Sequence, residues 1–172
     1  MTVEEKRKQQ EGLTHVHYEM WMVARLALEI NKHQVPVNNA IVESLVLHLD
    51  NIAWFLAGKG QGDDILASHY GHTSELDLET CRSTRQRRNK EIAHLTHSRK
   101  LEPGDRVWDF DKLIRDVAPS ACAFIEHLLE ENCVDQSARQ DWKELREAYA
   151  RISATSIPSR PGPSLDVPKA EA

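Results

Sequence analysis

Hydrophobic positions recur at three- and four-residue steps along most of the chain, which is the pattern of amphipathic helices and not of strands. The first such stretch runs from Val3 to about Lys32, and Gly12 is its one helix breaker. The pattern predicts one amphipathic helix that is long or broken near Gly12. Pro36 disfavours helical geometry at the residue before it, so the helix should end ahead of it. The apolar stripe consists of Val16, Met20, Val23, Ala27 and Ile30.

A second helix is predicted after Pro36, because Asn38 or Asn39 can cap its first turn. Its apolar side chains cover several sides, so we expect a central helix with more than one neighbour. Gly58 should close it, and the glycine-rich residues 58–64 are typical of a flexible link. Residues 65–70 can form a short turn of helix before Gly71.

Three further helices are predicted. The third spans about 75–97, and the fourth spans about 110–131, with Pro119 expected to kink it. Asp135 can cap a fifth, more polar helix that runs to about Ile152. The periodicity therefore predicts an all-α bundle of four to five helices with no strand pair.

The C-terminal residues 153–172 are rich in serine and proline and show no periodicity. This composition is typical of a disordered tail. A chain of 172 residues with 40% hydrophobic content suits one well-buried core better than two. We therefore expect a single all-α domain at residues 1–152 followed by a disordered tail at 153–172.

Composition narrows the class of protein further. No apolar run approaches the ~18–20 residues that a transmembrane helix needs, and the first residues lack the apolar core of a signal peptide. A soluble, cytoplasmic protein is expected. The three cysteines, an odd number without CxxC spacing, argue against a disulfide framework and against a cysteine zinc site.

Positive charge is concentrated in one window of an otherwise acidic chain. Between Cys81 and Lys100 seven basic residues stand against the single acid Glu91, a net charge of +6, while the whole chain has a formal net charge of −5. The rest of the chain therefore carries −11. Such a local cationic face suits a phosphate-bearing partner. A solvated helix face with pairs such as Arg87 and Glu91 is the alternative interpretation.

Within this window lies the run Arg-Asn-Lys-Glu-Ile-Ala-His, residues 88–94. It resembles the signature of the HEPN superfamily, in which an arginine and a histidine separated by four to six residues define the site. A polar residue straight after the arginine is typical, and Asn89 supplies it. The continuation Ile-Ala-His-Leu-Thr is similar to the abortive-infection branch of that superfamily. The motif covers seven residues, and the predicted helix order over about 13–152 is compatible with the family.

The resemblance implies a metal-independent endoribonuclease of toxin or phage-defence type, or an inactive relative that kept the fold. It also implies an RNA substrate, no cofactor, a homodimer, and an antitoxin or small nucleotidyltransferase as a possible partner. The residues suit this chemistry. His94 can move protons near neutral pH, and Arg88 stays charged and grips phosphate through its planar fork. Asn89 is expected to orient His94 or a phosphate oxygen.

Helix geometry places Arg88 and His94 on different faces of one straight helix. Six steps along an ideal helix separate Arg88 and His94 by ~9 Å in rise and ~120° in rotation, whereas Arg87 lies only ~20° from the histidine's face. Either Arg88 reaches around the helix, or the site is composite and two copies join their motifs in a homodimer. We favour the homodimer, because the reaction benefits from both a base and an acid. Auxiliary RNA-binding candidates are Arg85, Arg87, Asn89, Lys90 and His97.

Two pairs of histidines are candidate metal ligands. His15 and His17 are two apart, and His69 and His72 are three apart, but no acidic or cysteine partner completes a recognisable site, so no metal is expected. Two other functions stay open beside the ribonuclease. One is a non-catalytic HEPN-like interaction module or accessory partner protein. The other is an acidic helical scaffold whose basic window docks an acidic protein.

Overall fold

A computed structural model describes residues 2–34, 36–89, 107–157 and 160–161 of the chain. Five α-helices lie in these ranges, together with a 3-10 helix at Ala67–Tyr70 and two strands of two residues each. The helices are α1 (Val3–Glu29), α2 (Val37–Leu56), α3 (Leu78–Arg88), α4 (Phe110–Glu130) and α5 (Arg139–Ala154). The strands are β1 (Val107–Trp108) and β2 (Arg160–Pro161).

The predicted all-α bundle is confirmed. Helix α2 packs against α1, α3 and α4, while α5 packs against α1 and α4. Most of the side chains of α2 are buried, as its apolar surface predicts for a central helix. Helices α1, α2, α4 and α5 therefore form the bundle, and α3 lies on the outside of α2.

Phe124 of α4 ties the centre of the core together. Its ring is fully buried and lies edge-on to Phe55 of α2, to Tyr70 after the link, and to Trp142 of α5. Edge-to-face aromatic pairs add to the free energy of burial by about 0.5–1.5 kcal/mol each. The aromatic contacts thus join three helices and the 3-10 turn into one core.

Helix α1 is continuous through Gly12, so it is long and not broken. The missing side chain of Gly12 has a steric reason, because a Cβ there would collide with the hydroxyl of Tyr70. That hydroxyl donates a 3.1 Å hydrogen bond to the carbonyl of Gln9. At its start α1 has a capping box, in which Thr2 and Glu5 exchange hydrogen bonds.

Two predicted helix caps are wrong. Helix α2 begins at Val37 with Pro36 in the capping position, and the Asn38 side chain instead accepts a 2.9 Å hydrogen bond from the backbone of Asn31. Helix α5 has Ala138, not Asp135, in its capping position and no side-chain cap. Gly58, with φ +63°, stands just beyond the end of α2 as predicted.

Near the C-terminus the structure departs from the predicted boundary of the tail. Helix α5 continues to Ala154, and Ile157 is buried, its backbone N–H donating to the Asp111 carboxylate at 3.0 Å. Strands β1 and β2 then pair antiparallel, although no strand pair was expected. Two-residue strands carry no readable alternation, so the sequence pattern misses them. The rest of the predicted tail, 158–159 and 162–172, lies outside the described residues.

Helix α4 agrees with its prediction to within one residue. Its N-terminus is capped by Asp109, whose side chain accepts a 2.9 Å hydrogen bond from the Lys112 backbone. Pro119 lies inside the helix, which continues through it. In the described part of the chain, no helix is both long enough and apolar enough to cross a membrane.

Candidate functional site

The start of the arginine motif lies where α3 ends against α2. Cys81, in the first half of α3, is buried, and its thiol donates to the carbonyl of Ala53 on α2 at 3.8 Å. This contact holds α3 alongside the C-terminal half of α2. Arg88 is the last residue of α3, and Asn89 follows it.

The guanidinium of Arg88 is held through all three of its nitrogens. Nη1 lies 2.9 Å from Oδ2 of Asp50 on α2. Nε and Nη2 donate to Oδ1 of Asn89 at 3.2 and 2.8 Å. Only 13% of the Arg88 side chain is exposed. The motif's arginine therefore has one defined position, set by its neighbour in sequence and by a carboxylate on another helix.

Arg85 lies one turn earlier on α3 and shares the same acidic partner at longer range. Its Nε is 3.7 Å from Oδ2 of Asp50, and its Cζ lies 4.1 Å from the centre of the Trp54 ring. A guanidinium stacked on an indole at this distance gains a cation–π attraction. The Arg85 side chain is 43% exposed, so it offers solvent more of its charge than Arg88 does.

Asp50 is the acidic centre of this cluster, and its side chain is fully buried. Burial raises the pKa of Asp50 above its ordinary value, and the guanidinium groups of Arg88 and Arg85 and the Trp54 side chain offset part of that rise. Two cations face one carboxylate, so the ionised cluster carries one net positive charge. We name this group of Asp50, Trp54, Arg85, Arg88 and Asn89 the Asp50 cluster.

Sequence reasoning missed Asp50. The available signal was the place of Asp50, one of two acids in the predicted central helix, between the apolar Leu49 and Ile52; charged side chains are rarely buried without a partner. Trp54 was not among the predicted site residues either. Asp50 and Trp54 both contact arginines of α3. The sequence pattern of α2 does not specify where α3 packs against it.

The remaining predicted site residues have different outcomes. The structure brings Arg85, Arg88 and Asn89 together in the Asp50 cluster. The backbone of Arg87 belongs to α3. Three of the candidates, which are Lys90, His94 and His97, lie outside the described residues. The distance between the motif's arginine and histidine, and hence the composite site, stays a prediction.

A second polar group joins α1 and α2. Nδ1 of His48 lies 2.8 Å from the Glu19 carboxylate, and the Asn51 amide donates to the same oxygen at 3.0 Å. Burial opposes the charged form, but the hydrogen bonds from His48 and Asn51 prevail and lower the pKa of Glu19. The Tyr18 ring lies edge-on to His48. This group links two helices of the bundle.

One histidine of each candidate pair packs against an aromatic ring. His17 lies edge-on to Trp142, and His72 lies edge-on to Phe124, with its ring 5.4 Å from that of His127. Burial and the proximity of His127 lower the pKa of His72, which disfavours its charged form. Among the residues that the structure describes, no group of three or more histidine, cysteine or acidic side chains is placed to hold a metal ion.

Neither a protein-family model, nor a curated protein, nor a solved structure matches this chain. The motif and the Asp50 cluster are therefore the features of the chain that bear on its function.

Proposed function

We propose that this protein is a metal-independent endoribonuclease of the HEPN type, with a toxin or phage-defence role, that acts as a cytoplasmic homodimer. One observation carries the proposal. The arginine of the motif is anchored by Asp50 and Asn89 at the end of a helix inside the only strongly basic window of the chain. An anchored guanidinium beside surplus positive charge suits the binding of a phosphodiester.

The chemistry follows from the residue types. The 2′-hydroxyl of RNA attacks the adjacent phosphorus, the bond from phosphorus to the 5′-oxygen breaks, and a 2′,3′-cyclic phosphate and a 5′-hydroxyl result. His94 accepts the proton of the 2′-hydroxyl, and a second imidazole, supplied by the other copy in the dimer, protonates the leaving oxygen. Arg88 stabilises the charge that develops on the phosphorane oxygens. An antitoxin or a small nucleotidyltransferase holds the ribonuclease in check.

One observation favours a second function. Arg88 is ion-paired to a buried carboxylate and only 13% exposed, which also fits an arginine that supports packing. On that basis the chain would be a non-catalytic HEPN-like interaction module or an accessory partner protein. In that case the Asp50 cluster would maintain the α2–α3 contact and RNA would not be its substrate.

Cleavage assays with three purified proteins separate these functions. Wild type, His94→Ala and the control His33→Ala, which changes an exposed histidine beyond α1, are incubated with RNA in excess chelator. We expect wild type and His33→Ala to generate cyclic-phosphate ends, and His94→Ala to be slower by about 100-fold or more. Equal cleavage by wild type and His94→Ala would refute the assignment. A wild type that neither cleaves RNA nor inhibits growth would favour the interaction module.

A further inference from the structure

We propose that Asp50 is the positioning residue of this site: it holds the guanidinium of Arg88 in the orientation in which it contacts the scissile phosphate of RNA. The inference rests on the proposed ribonuclease function and adds a residue that lies outside the motif. It also assigns the surroundings of Asp50, with Arg85 and Trp54, to the binding of the RNA backbone.

Asp50 is a carboxylate buried inside the central helix bundle. Its side chain has no exposed surface, and the positions one turn away on α2, Val46 and Ala53, are buried and apolar, so a leucine at position 50 would extend the core. A buried ion pair is often no more stabilising than well-packed apolar residues of similar volume. Stability alone is therefore a weak reason to place a carboxylate here. A fixed direction for the paired guanidinium is a better one.

Arg88 is held from two sides, by Asn89 and by Asp50. An arginine side chain carries five N–H bonds in a planar fork. Two of them donate to Asn89, and Nη1 is ion-paired with Asp50 at 2.9 Å. The N–H bonds that point at neither partner are available to a phosphate oxygen. A guanidinium held from two sides loses little rotamer freedom when it binds, which is the advantage of a preorganised site.

Arg85, one turn before Arg88 on α3, carries the second positive charge of the Asp50 cluster. Asp50 neutralises one of the two guanidinium groups, and the surplus positive charge lies on the more exposed Arg85. Trp54 holds Arg85 over its ring, so Arg85 also has a restricted position. Two oriented cations on successive turns of α3 suit a chain of singly charged phosphodiesters, with Arg88 at the reacting phosphate and Arg85 at a neighbouring one.

The contact between Asp50 and Arg88 could also have the opposite role, and removing the charge of Asp50 would then have the opposite effect. If Asp50 were an internal competitor that occupies Arg88 until RNA displaces it, then removing its charge would strengthen RNA binding. The positioning role instead requires that removing the charge weakens catalysis. Asp50→Asn is nearly isosteric and therefore separates the two roles without changing the packing volume.

The test compares RNA cleavage by wild type, Asp50→Asn and Asp50→Glu, with Glu19→Gln as the matched control. Glu19 is a partly buried carboxylate on α1 whose partners are His48 and Asn51, so its loss leaves Arg88 untouched. We expect Asp50→Asn to lower kcat by on the order of 10- to 100-fold with a smaller change in KM. Asp50→Glu keeps the charge but shifts the carboxylate, so it should also lose kcat, and urea unfolding shows whether the added methylene has changed the fold. Glu19→Gln should retain the wild-type kcat.

A double variant tests whether Asp50 acts through Arg88. In an Arg88→Ala background, Asp50→Asn should lower cleavage no further, whereas two independent effects would multiply. RNA affinity is measured in a His94→Ala background, where cleavage does not interfere. An active wild type with unchanged or faster cleavage by both Asp50 variants, or tighter RNA binding by Asp50→Asn, overturns the positioning role. A wild type indistinguishable from His94→Ala overturns the ribonuclease proposal itself.

Discussion

The carboxylate of Asp50 lies 2.9 Å from Nη1 of Arg88, so the middle of the central helix is joined to the last residue of α3. The contact is buried on the Asp50 side and nearly so on the Arg88 side. Any change at the motif's arginine therefore also changes how α3 packs on α2. Experiments on Arg88 consequently need a measurement of folding beside each measurement of activity.

Removing the arginine should destabilise the fold. Arg88→Ala leaves the buried Asp50 without its nearest cation, and breaking a buried pair from one side costs about 3–5 kcal/mol. We expect the lower end of that range, because Arg85 remains 3.7 Å from the same oxygen. Urea unfolding of Arg88→Ala gives the value. Arg82→Ala, an exposed change on the same helix, should alter the free energy of unfolding by less than about 0.5 kcal/mol.

The double variant Asp50→Asn/Arg88→Ala provides the internal check on this cost. It should be more stable than Arg88→Ala alone, because the uncompensated buried charge has been removed. If Arg88→Ala were no less stable than Arg82→Ala, the ion pair would not contribute to the free energy of unfolding.

Subunit mixing tests the composite site. When wild type exchanges subunits with an excess of His94→Ala protein, most wild-type chains enter mixed dimers that carry only one His94 imidazole. Because the proposed site takes one imidazole from each copy, we expect the cleavage rate per wild-type chain to fall towards that of His94→Ala. Wild type at the same dilution without the variant is the control. An unchanged rate per wild-type chain, despite subunit exchange confirmed by mass, would place a complete site on one chain.

The hydrogen bonds of Glu19 should make stability depend on pH. The pKa of Glu19 is lower in the folded protein than in the unfolded chain, so its contribution is present above the unfolded pKa and lost as pH falls through the folded pKa. Glu19→Gln should therefore destabilise the protein at pH 7, by on the order of 1 kcal/mol. The difference from wild type should shrink below about pH 4. Thermal unfolding across pH measures it, with Glu130→Gln, a change at an exposed glutamate, as the control.

The close approach of Gly12 and Tyr70 predicts that the effect of Gly12→Ala on stability depends on the Tyr70 hydroxyl. Gly12→Ala gains helix propensity of roughly 1 kcal/mol, yet its Cβ would collide with the Tyr70 hydroxyl, and overpacking typically costs about 1–3 kcal/mol. We expect a net loss of thermal stability. In a Tyr70→Phe background, which lacks that hydroxyl, Gly12→Ala should become neutral or stabilising. A substitution that is equally unfavourable in both backgrounds would contradict the steric explanation.

Thiol labelling distinguishes the three cysteines. Burial, with smaller contributions from Asp50 and Asp77, raises the pKa of Cys81 to about 11, so about one part in a thousand is thiolate at pH 8. Cys122 and Cys133 are only partly buried. We expect Cys81 to react last with a disulfide reagent, and all three to react rapidly in urea. Mass mapping identifies the order, and early labelling of Cys81 would show that α3 leaves α2 readily.

Local patterns predicted much of the helical framework. The three-to-four-residue repeat placed α1, α2 and α4 close to their observed limits, because the repeat records which face of each helix is buried. Capping at Asn38 and Asp135 was predicted wrongly. A cap depends on the backbone conformation of one residue at the helix end, and the neighbouring chain sets that conformation. The β1–β2 pair joins segments distant in sequence, so no local signal announces it.

The sequence by itself determined an all-α chain, a negative net charge with one basic window, and a motif that begins with Arg88 and Asn89. Only the tertiary structure decided that Asp50 faces Arg88 and that Trp54 lies under Arg85. Periodicity indicates which side of α2 is buried, but it does not indicate which helix covers it or at what register. The partner of a buried charge is therefore fixed by helix packing, and with it the orientation of the arginine on which the proposed function depends.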